Sequence, residues 1–275
     1  MSSALPKRNL AIAIVPALLV LITFLFWYQT WFGRQLSDSE MTECLTENSA
    51  PHRTQHALAQ LAERITRGDS SARRWYPQVI ALASSRESGL RLMAAWTMGQ
   101  DNRSPEFQNA LRRLLDDPEP MVRRNAALGL ARFEDASGRG ELLAMLRPFT
   151  LTAPQAGTLS FRLGVGDDVR NGGIVAQIQP ADGKRIDVLA PIAGQVDRRV
   201  ATEGAAVAVG DPIAILAPSE DQVWESLRAL YLIGSRDDLE EVERFMQGAP
   251  GTSDRIRQQA AAAAAAIRRR TEPRL

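Results

Sequence analysis

The hydrophobic positions of the chain change their spacing several times along its length. Residues 10–32 form a largely apolar run, LAIAIVPALLVLITFLFWYQTWF, without a charged side chain. In segments 37–148 and 219–275, apolar residues recur at the 3.6-residue spacing of amphipathic helices. Segment 149–218 replaces that spacing with short apolar runs and frequent glycine and valine, which are typical of β-strands. The sequence therefore predicts a multidomain α + β protein with segments at 1–36, 37–148, 149–218 and 219–275.

The apolar run at 10–32 is long enough for a transmembrane helix, since about 20 apolar residues cross the hydrocarbon core of a bilayer. Lys7 and Arg8 precede the run, and the basic flank of a span stays in the cytoplasm. A cleaved signal peptide is the alternative, but its apolar core is shorter and ends at a small-x-small cleavage site. We therefore expect segment 1–36 to be a cytoplasmic tip followed by a retained membrane anchor.

The helical segments contain an internal repeat. Its clearest copy spans residues 120–130 and carries the pair Ala126-Ala127. Another alanine pair, at 94–95, lies 32 residues earlier, and related copies begin at residues 51, 221 and 254. Periods of this size indicate helix pairs that stack into a solenoid.

The copy at 120–130 resembles the first helix of the HEAT repeat family. That helix carries a proline, then Val-Arg, two alanines and a leucine, as at positions 120, 122–123, 126–127 and 130. The resemblance implies an α-α superhelix whose surface binds a protein or peptide and which has no active site of its own. It places the second helix of each pair at residues 72–83, 105–115, 140–146 and 238–246.

Segment 149–218 is internally duplicated. The motif A-P-x-x-G at 153–157 returns at 190–194, and Gly166 and Gly172 return 38 residues later as Gly204 and Gly210. Glycine adopts the positive φ angles that tight corners require. The duplication therefore predicts two similar β halves that fold together.

This duplicated pattern resembles the biotinyl/lipoyl domain and the related barrel-sandwich hybrid of bacterial membrane-fusion, or periplasmic adaptor, proteins. In the carrier domains of this family, a lysine on the hairpin between the halves receives lipoate or biotin. The resemblance singles out Lys184, on the hairpin at 179–185. The methionines that flank a biotin site are absent around Lys184, so we expect an exposed turn lysine, with covalent modification as the alternative. Adaptors usually insert a long helical hairpin where this chain has a short loop.

Composition and residue inventory give little support to other classes of function. The 33 lysines and arginines nearly balance 32 aspartates and glutamates, so the basic patch of a nucleic-acid binder is not expected. His52 and His56 supply too few ligands for a zinc site. The glycines of segment 149–218 precede strands and not a helix, which excludes a phosphate-binding loop. We therefore expect no catalytic residues, no metal, no cofactor and no enzymatic activity.

Together these patterns predict a single-pass protein of the bacterial inner membrane with its folded part in the periplasm. We expect a scaffold or adaptor that binds protein partners through the HEAT surface and the β segment, in a transport, efflux or secretion assembly. The alternative function is that of a lipoyl- or biotin-type covalent carrier that uses Lys184.

Overall fold

The computed structural model describes residues 18–24, 35–46, 50–248 and 252–271. From residue 35 onward, a helical region is followed by two antiparallel sheets and then by further helices. The helices are α1 (Asp38–Cys44), α2 (Pro51–Thr66), α3 (Tyr76–Leu82), α4 (Ser88–Met98), α5 (Pro105–Leu114), α6 (Pro120–Arg132), α7 (Arg139–Met145), α8 (Glu220–Ile233), α9 (Leu239–Met246) and α10 (Asp254–Thr271). The strands are β1 (Phe149–Thr152), β2 (Gly157–Phe161), β3 (Asp168–Val169), β4 (Ile174–Gln179), β5 (Ile186–Leu189), β6 (Gly194–Arg199), β7 (Ala206–Val207) and β8 (Pro212–Pro218).

The fold class predicted from the sequence included a transmembrane helix, and the structure does not support that helix. Residues 18–24 are helical. Across the described part of the chain, no helix combines the length and apolar character needed to cross a membrane. The remainder of the predicted span, 10–17 and 25–32, lies outside the described residues. The membrane anchoring and the inner-membrane and periplasmic location, which depended on that helix, are corrected with it.

The helices pack as stacked pairs in two layers. In the first layer, α2, α4, α6, α8 and α10 each contact the next in that order. The second layer consists of α3, α5, α7 and α9, each of which packs against the first-layer helix that follows it in the chain. The inner helices α4, α6 and α8 therefore each touch two first-layer neighbours, as in a helical-repeat solenoid.

The helix predicted at 72–83 is divided in the structure. A 3₁₀ helix at Ser70–Trp75 precedes α3, which begins at Tyr76. Pro77 lies in the first turn of α3, where its missing N–H leaves no hydrogen bond unmade. Within a longer α-helix from residue 72, the proline ring would clash with the preceding turn, so the chain restarts its helix at Tyr76.

The alanine pair of α6 serves two hydrophobic cores. Ala126 is fully buried in the core formed by α1 to α6, together with Val122 and Leu130. Ala127 is buried in the second core, formed by α6 to α10. Small side chains at both positions let neighbouring helices approach closely on the two sides of α6.

The β segment forms a sandwich of two four-stranded antiparallel sheets. The strand orders are β1-β8-β6-β3 and β5-β4-β2-β7, so each sheet contains strands from both halves of the duplication. One core joins the sheets and includes Leu159, Ile178, Val196 and Leu216. Because neither half has a sheet of its own, the two halves can fold only together.

Corresponding glycines occupy corresponding corners of the two halves. Gly172 N donates to Ala190 O at 2.8 Å, and Gly210 N donates to Ala153 O at the same distance. These glycines have φ angles of 76° and 87°, a conformation that L side chains rarely adopt. The sequence repeat at a spacing of 38 residues is therefore also a repeat of backbone geometry.

The helical stack continues directly across the β segment. The β segment begins after α7 and ends before α8. Its first and last strands are paired, with Phe149 opposite Leu216. Helix α8 packs against both α6 and α7. Ser226 Oγ of α8 donates to Leu142 O of α7 at 2.7 Å, and both groups are buried. The β segment is thus an insertion between neighbouring helices of one solenoid.

Candidate interaction surface

The first-layer helices form a groove on their exposed side, which we call the four-helix groove. It is a cavity of about 750 Å³, within the range of known binding pockets. Its lining residues come from α4 (Ala95, Trp96, Gly99 and the following Gln100), α6 (Asn125, Leu128, Gly129, Ala131, Arg132), α8 (Glu225, Arg228, Ala229, Tyr231, Leu232) and α10 (Gln259, Ala262).

Small residues form the floor of the four-helix groove. Gly99 of α4 and Gly129 of α6 face each other so closely that a Cβ on Gly99 would lie 3.1 Å from Gly129 Cα. Ala95 and Ala229 are also buried there. With no large side chains on the floor, the groove stays open above the packed helices.

Large apolar side chains stand exposed at opposite sides of the groove. Trp96 on α4 is 41% exposed, and Tyr231 and Leu232 on α8 are 40% and 42% exposed. Exposed apolar side chains that line one cavity are candidates for contact with another molecule. Tryptophan and tyrosine are also the side chains that most often dominate binding energy at protein interfaces.

The rim of the groove carries more positive than negative groups. Arg132 Nη1 donates to Gln100 Oε1 at 3.0 Å, and among the described residues it has no carboxylate partner. Arg228 lies 3.5 Å from Glu225, the acidic residue of the lining. Arg270, which is not one of the lining residues, donates to the carbonyls of Tyr231 and Leu232. The described lining contains apolar and charged side chains but no set of acid, base and nucleophile in contact.

Lys184 lies outside the four-helix groove. It is exposed in the loop between β4 and β5, where Gln179 Nε2 donates to the carbonyl of Gly183 at 3.0 Å. This places the lysine on the connection between the two β halves. Its surroundings supply no pocket among those found in the described residues.

The two histidines and the single cysteine of the chain lie in the helical region. His52 and His56 lie on α2, where His56 contacts Gln60 at 2.9 Å. No cluster of three or more potential metal ligands occurs within the described ranges. Cys44 is buried, and burial raises the pKa of its thiol above the ordinary value, although Arg53 opposes the shift.

The groove residues were not singled out from the sequence, although the repeat spacing contains the signal. Trp96, Leu128, Ala229 and Ala262 occupy one equivalent position, two residues after the first alanine of the repeat or its counterpart, and all four line the groove. Reading the repeats in register would therefore have placed these positions on one face.

Comparison with known proteins agrees with the helical architecture. Residues 76–148 match the family model for HEAT repeats, which supports the HEAT-like repeat predicted from the sequence. HEAT repeats generally mediate protein–protein interactions.

The other comparisons carry no functional assignment. No curated protein matches the chain. A solved structure of a single-chain, multi-domain long-chain acyl-CoA carboxylase is similar at 21% identity with a TM-score of 0.25. The match covers 46% of this chain and 13% of that chain. The chain therefore spans only a small part of that carboxylase.

Proposed function

We propose that this protein is a non-enzymatic scaffold that binds a protein partner in the four-helix groove and holds its β insertion in a fixed orientation. The observation that carries the proposal is that helices from both sides of the insertion line one groove. Trp96 precedes the insertion and Leu232 follows it, yet both border the same cavity. A partner bound there would contact the solenoid on both sides of the β segment.

The attachment of the β insertion supports a positioning role. The chain enters and leaves it through paired strands, and Met121 of α6 packs against its core. A domain held at two chain connections and one side contact keeps its orientation, unlike a domain on a flexible linker. We propose that the insertion, which resembles lipoyl-like and adaptor domains in its duplication, presents a second surface at a set distance from the groove.

Pull-down with the tagged full chain, followed by cross-linking mass spectrometry, tests the groove. We expect the double variant Trp96→Ala/Leu232→Ala to recover its partner at least about tenfold less well, because buried aromatic and apolar anchors dominate interface energy. Arg113→Ala is the control, since Arg113 is exposed on α5 and belongs neither to the groove lining nor to the β insertion. Equal recovery by the double variant and the control would exclude the groove as the binding site.

A covalent carrier is the second candidate, because an exposed lysine lies between the two β halves. Lys7 and Lys184 are the lysines of the chain, and Lys184 is exposed on the loop that joins β4 to β5. Intact-mass measurement of the protein from its native source separates the candidates. A lipoyl or biotinyl mass on Lys184 would favour the carrier, and an unmodified chain would exclude it.

A further inference from the structure

Resting on the proposed function, we infer that the four-helix groove is also the docking site of the chain's own apolar segment at residues 18–24, which competes there with the partner. The segment and the groove are the two exposed apolar surfaces of the helices that the structure describes. Three observations connect them, namely exposure, charge and the chain path between them.

The described helices expose large apolar side chains in two places. One is the groove, with Trp96, Tyr231 and Leu232. The other is segment 18–24, where Val20 is 69% exposed and the remaining large apolar side chains are about half exposed or more, namely Leu18, Leu19, Leu21, Ile22 and Phe24. Docking of the segment in the groove would remove both surfaces from water, which is the main favourable term in association.

The charges around the groove favour an uncharged occupant. Arg132 and Arg228 are opposed by Glu225 and by the carboxyl ends of α4, α6 and α8, which all contribute to the lining. Since each helix end carries about half a negative charge, these groups cancel to within about half a charge. Residues 10–32 contain no charged side chain, so docking would bury no unpaired charge, which is the costly term in burial.

The chain path brings the segment within reach of the groove. Leu36 N donates to Gln60 Oε1 of α2 at 2.8 Å, and Thr97 Oγ1 of α4 donates to Leu58 O of α2 at 3.4 Å. Leu36 is therefore separated from the α4 wall of the groove by little more than the width of α2, about 10–12 Å. Residues 25–34 can span up to about 35 Å, so the connection is long enough.

The short connection makes even weak docking effective. A flexible tether of this length gives an effective concentration of about 1 mM. With an intrinsic Kd of about 0.1–0.3 mM, about three to ten chains would be closed for each open one. A partner must displace the segment, so its apparent affinity falls by about the same factor. A second copy of the chain in solution has no such advantage, which favours the chain's own segment as the occupant.

Photo-cross-linking of the full chain tests the docking. With p-benzoylphenylalanine in place of Val20, we expect mass spectrometry to find cross-links to α4, α6 and α8 within one chain. These cross-links should be lost with Trp96→Ala/Leu232→Ala. The same photoreactive residue in place of Arg113 is the control, because Arg113 is exposed on α5 and does not line the groove. Absence of groove cross-links from position 20 would overturn the inference.

Pull-down with a limiting amount of the tagged chain tests the competition. Val20→Asp/Ile22→Asp should recover about threefold to tenfold more partner, because docking would now bury carboxylates without partners. Arg113→Asp changes the net charge by the same amount and should leave recovery unchanged.

The outcomes separate this inference from the proposed function. Unchanged recovery by Val20→Asp/Ile22→Asp would overturn the inference, and the groove would remain the partner's site if Trp96→Ala/Leu232→Ala still loses the partner. Equal recovery by Trp96→Ala/Leu232→Ala and the unaltered protein would overturn both, because no partner would then compete for the groove.

Two other locations of the segment are distinguishable. Cross-links from position 20 to the groove of another chain, with a dimer in light scattering, would identify a second copy as the occupant and overturn the inference. Flotation of the full chain with phosphatidylcholine vesicles, lost in Val20→Asp/Ile22→Asp and without groove cross-links, would identify a lipid surface and overturn it as well.

Discussion

Gly138 lies where the 3₁₀ helix at Ala136–Gly138 passes against α6. A Cβ on this glycine would lie 2.7 Å from both the Cα and the Cβ of Ala127. A contact that short cannot be relieved by turning a side chain, since Ala127 Cα belongs to the backbone. Gly140, two residues further on, has nothing within 4 Å of the corresponding position.

We predict that Gly138→Ala and Gly140→Ala change stability in opposite directions. Gly138→Ala should destabilise the protein by about 1–3 kcal/mol, because it forces the second layer away from α6. Gly140→Ala should stabilise it by about 0.5–1 kcal/mol, because it removes a glycine from the first turn of α7. Urea unfolding followed by circular dichroism measures both, and a neutral Gly138→Ala would contradict the close approach.

Individual residues differ in how well the sequence predicts their surroundings. Lys184 was predicted to be exposed in a turn. Turn formation is a local property, because a turn at Asp182-Gly183 depends only on the residues next to it. Trp96 was predicted only as part of a repeat. Its exposure depends on α6 and α8, whose positions no local signal specifies.

At the scale of elements, the turn before a second-layer helix is held by an aspartate. Asp69 accepts from Ser71 N, and Asp135 accepts from Ser137 N, both at 2.9 Å. Asp135 also accepts from Gln108 at 2.8 Å and Arg112 at 2.7 Å, which belong to α5 of the preceding pair. One carboxylate therefore caps a turn and joins two helix pairs.

The pKa of Asp135 reflects these contacts. Burial raises the pKa of its carboxyl, but the donors around it outweigh burial and lower the pKa to about 2 from its ordinary value of 3.8. Because the folded-state pKa is lowered, the ionised group stabilises the fold above about pH 4, and this contribution is lost as the pH falls towards 2. The shift corresponds to about 2 kcal/mol, and the side chain is only 7% exposed.

We predict that Asp135→Asn lowers the free energy of unfolding by about 2 kcal/mol at pH 7. The asparagine keeps a side-chain oxygen for Ser137 N but loses the charge that Arg112 contacts. The difference from the unaltered protein should fall to about half at pH 3. Urea titrations across this range measure it, with the exposed Asp182→Asn as control. A difference that stays constant down to pH 3 would contradict the role of the charge.

The sequence predicted three of the four second helices within one residue of their observed ends. The second helices expected at 105–115, 140–146 and 238–246 are observed as Pro105–Leu114, Arg139–Met145 and Leu239–Met246. The exception is the divided helix around Tyr76. Pro77 was visible in the sequence, but a proline is compatible with both the start and the interruption of a helix.

At the scale of the whole molecule, a buried polar network joins the solenoid on the two sides of the β insertion. Arg124 of α6 is 4% exposed, lies 3.5 Å from Glu141 of α7 and donates to Gln222 of α8. Gln222 donates in turn to Met145 O at 2.8 Å. Burial lowers the pKa of Arg124, and Glu141 opposes that shift. None of these groups belongs to the β segment, so the contact between α6, α7 and α8 does not depend on that segment.

We predict that replacing residues 149–218 with a short Gly/Ser linker leaves the helical solenoid folded. Phe149 is paired with Leu216, which holds their Cα atoms about 5 Å apart close to the two ends of the insertion, so a few flexible residues can close the gap. Circular dichroism should show a cooperative helical transition with a smaller urea m-value, because less surface is exposed on unfolding. The loss of the Met121 contact should cost less than about 3 kcal/mol.

Deletion of residues 239–246 is the control for that experiment. It removes α9, whose Val242 and Phe245 are buried in the second helical core, and it should abolish the cooperative transition. If removal of the β segment had the same effect, the solenoid would not be continuous across the insertion.

The sequence by itself determined the repeat of the helices, the duplication of the β halves and the boundaries between the helical and β segments. These features depend on residues a few positions apart, because helix and strand periods and glycine corners are local. The predicted membrane helix also came from a local property, hydropathy, and the structure did not support it. Only the tertiary structure decided that Trp96 and Leu232, separated by the entire β insertion, border one groove. Packing between distant helices sets that arrangement, and it follows from how the helices fit together and not from the pattern along any one of them.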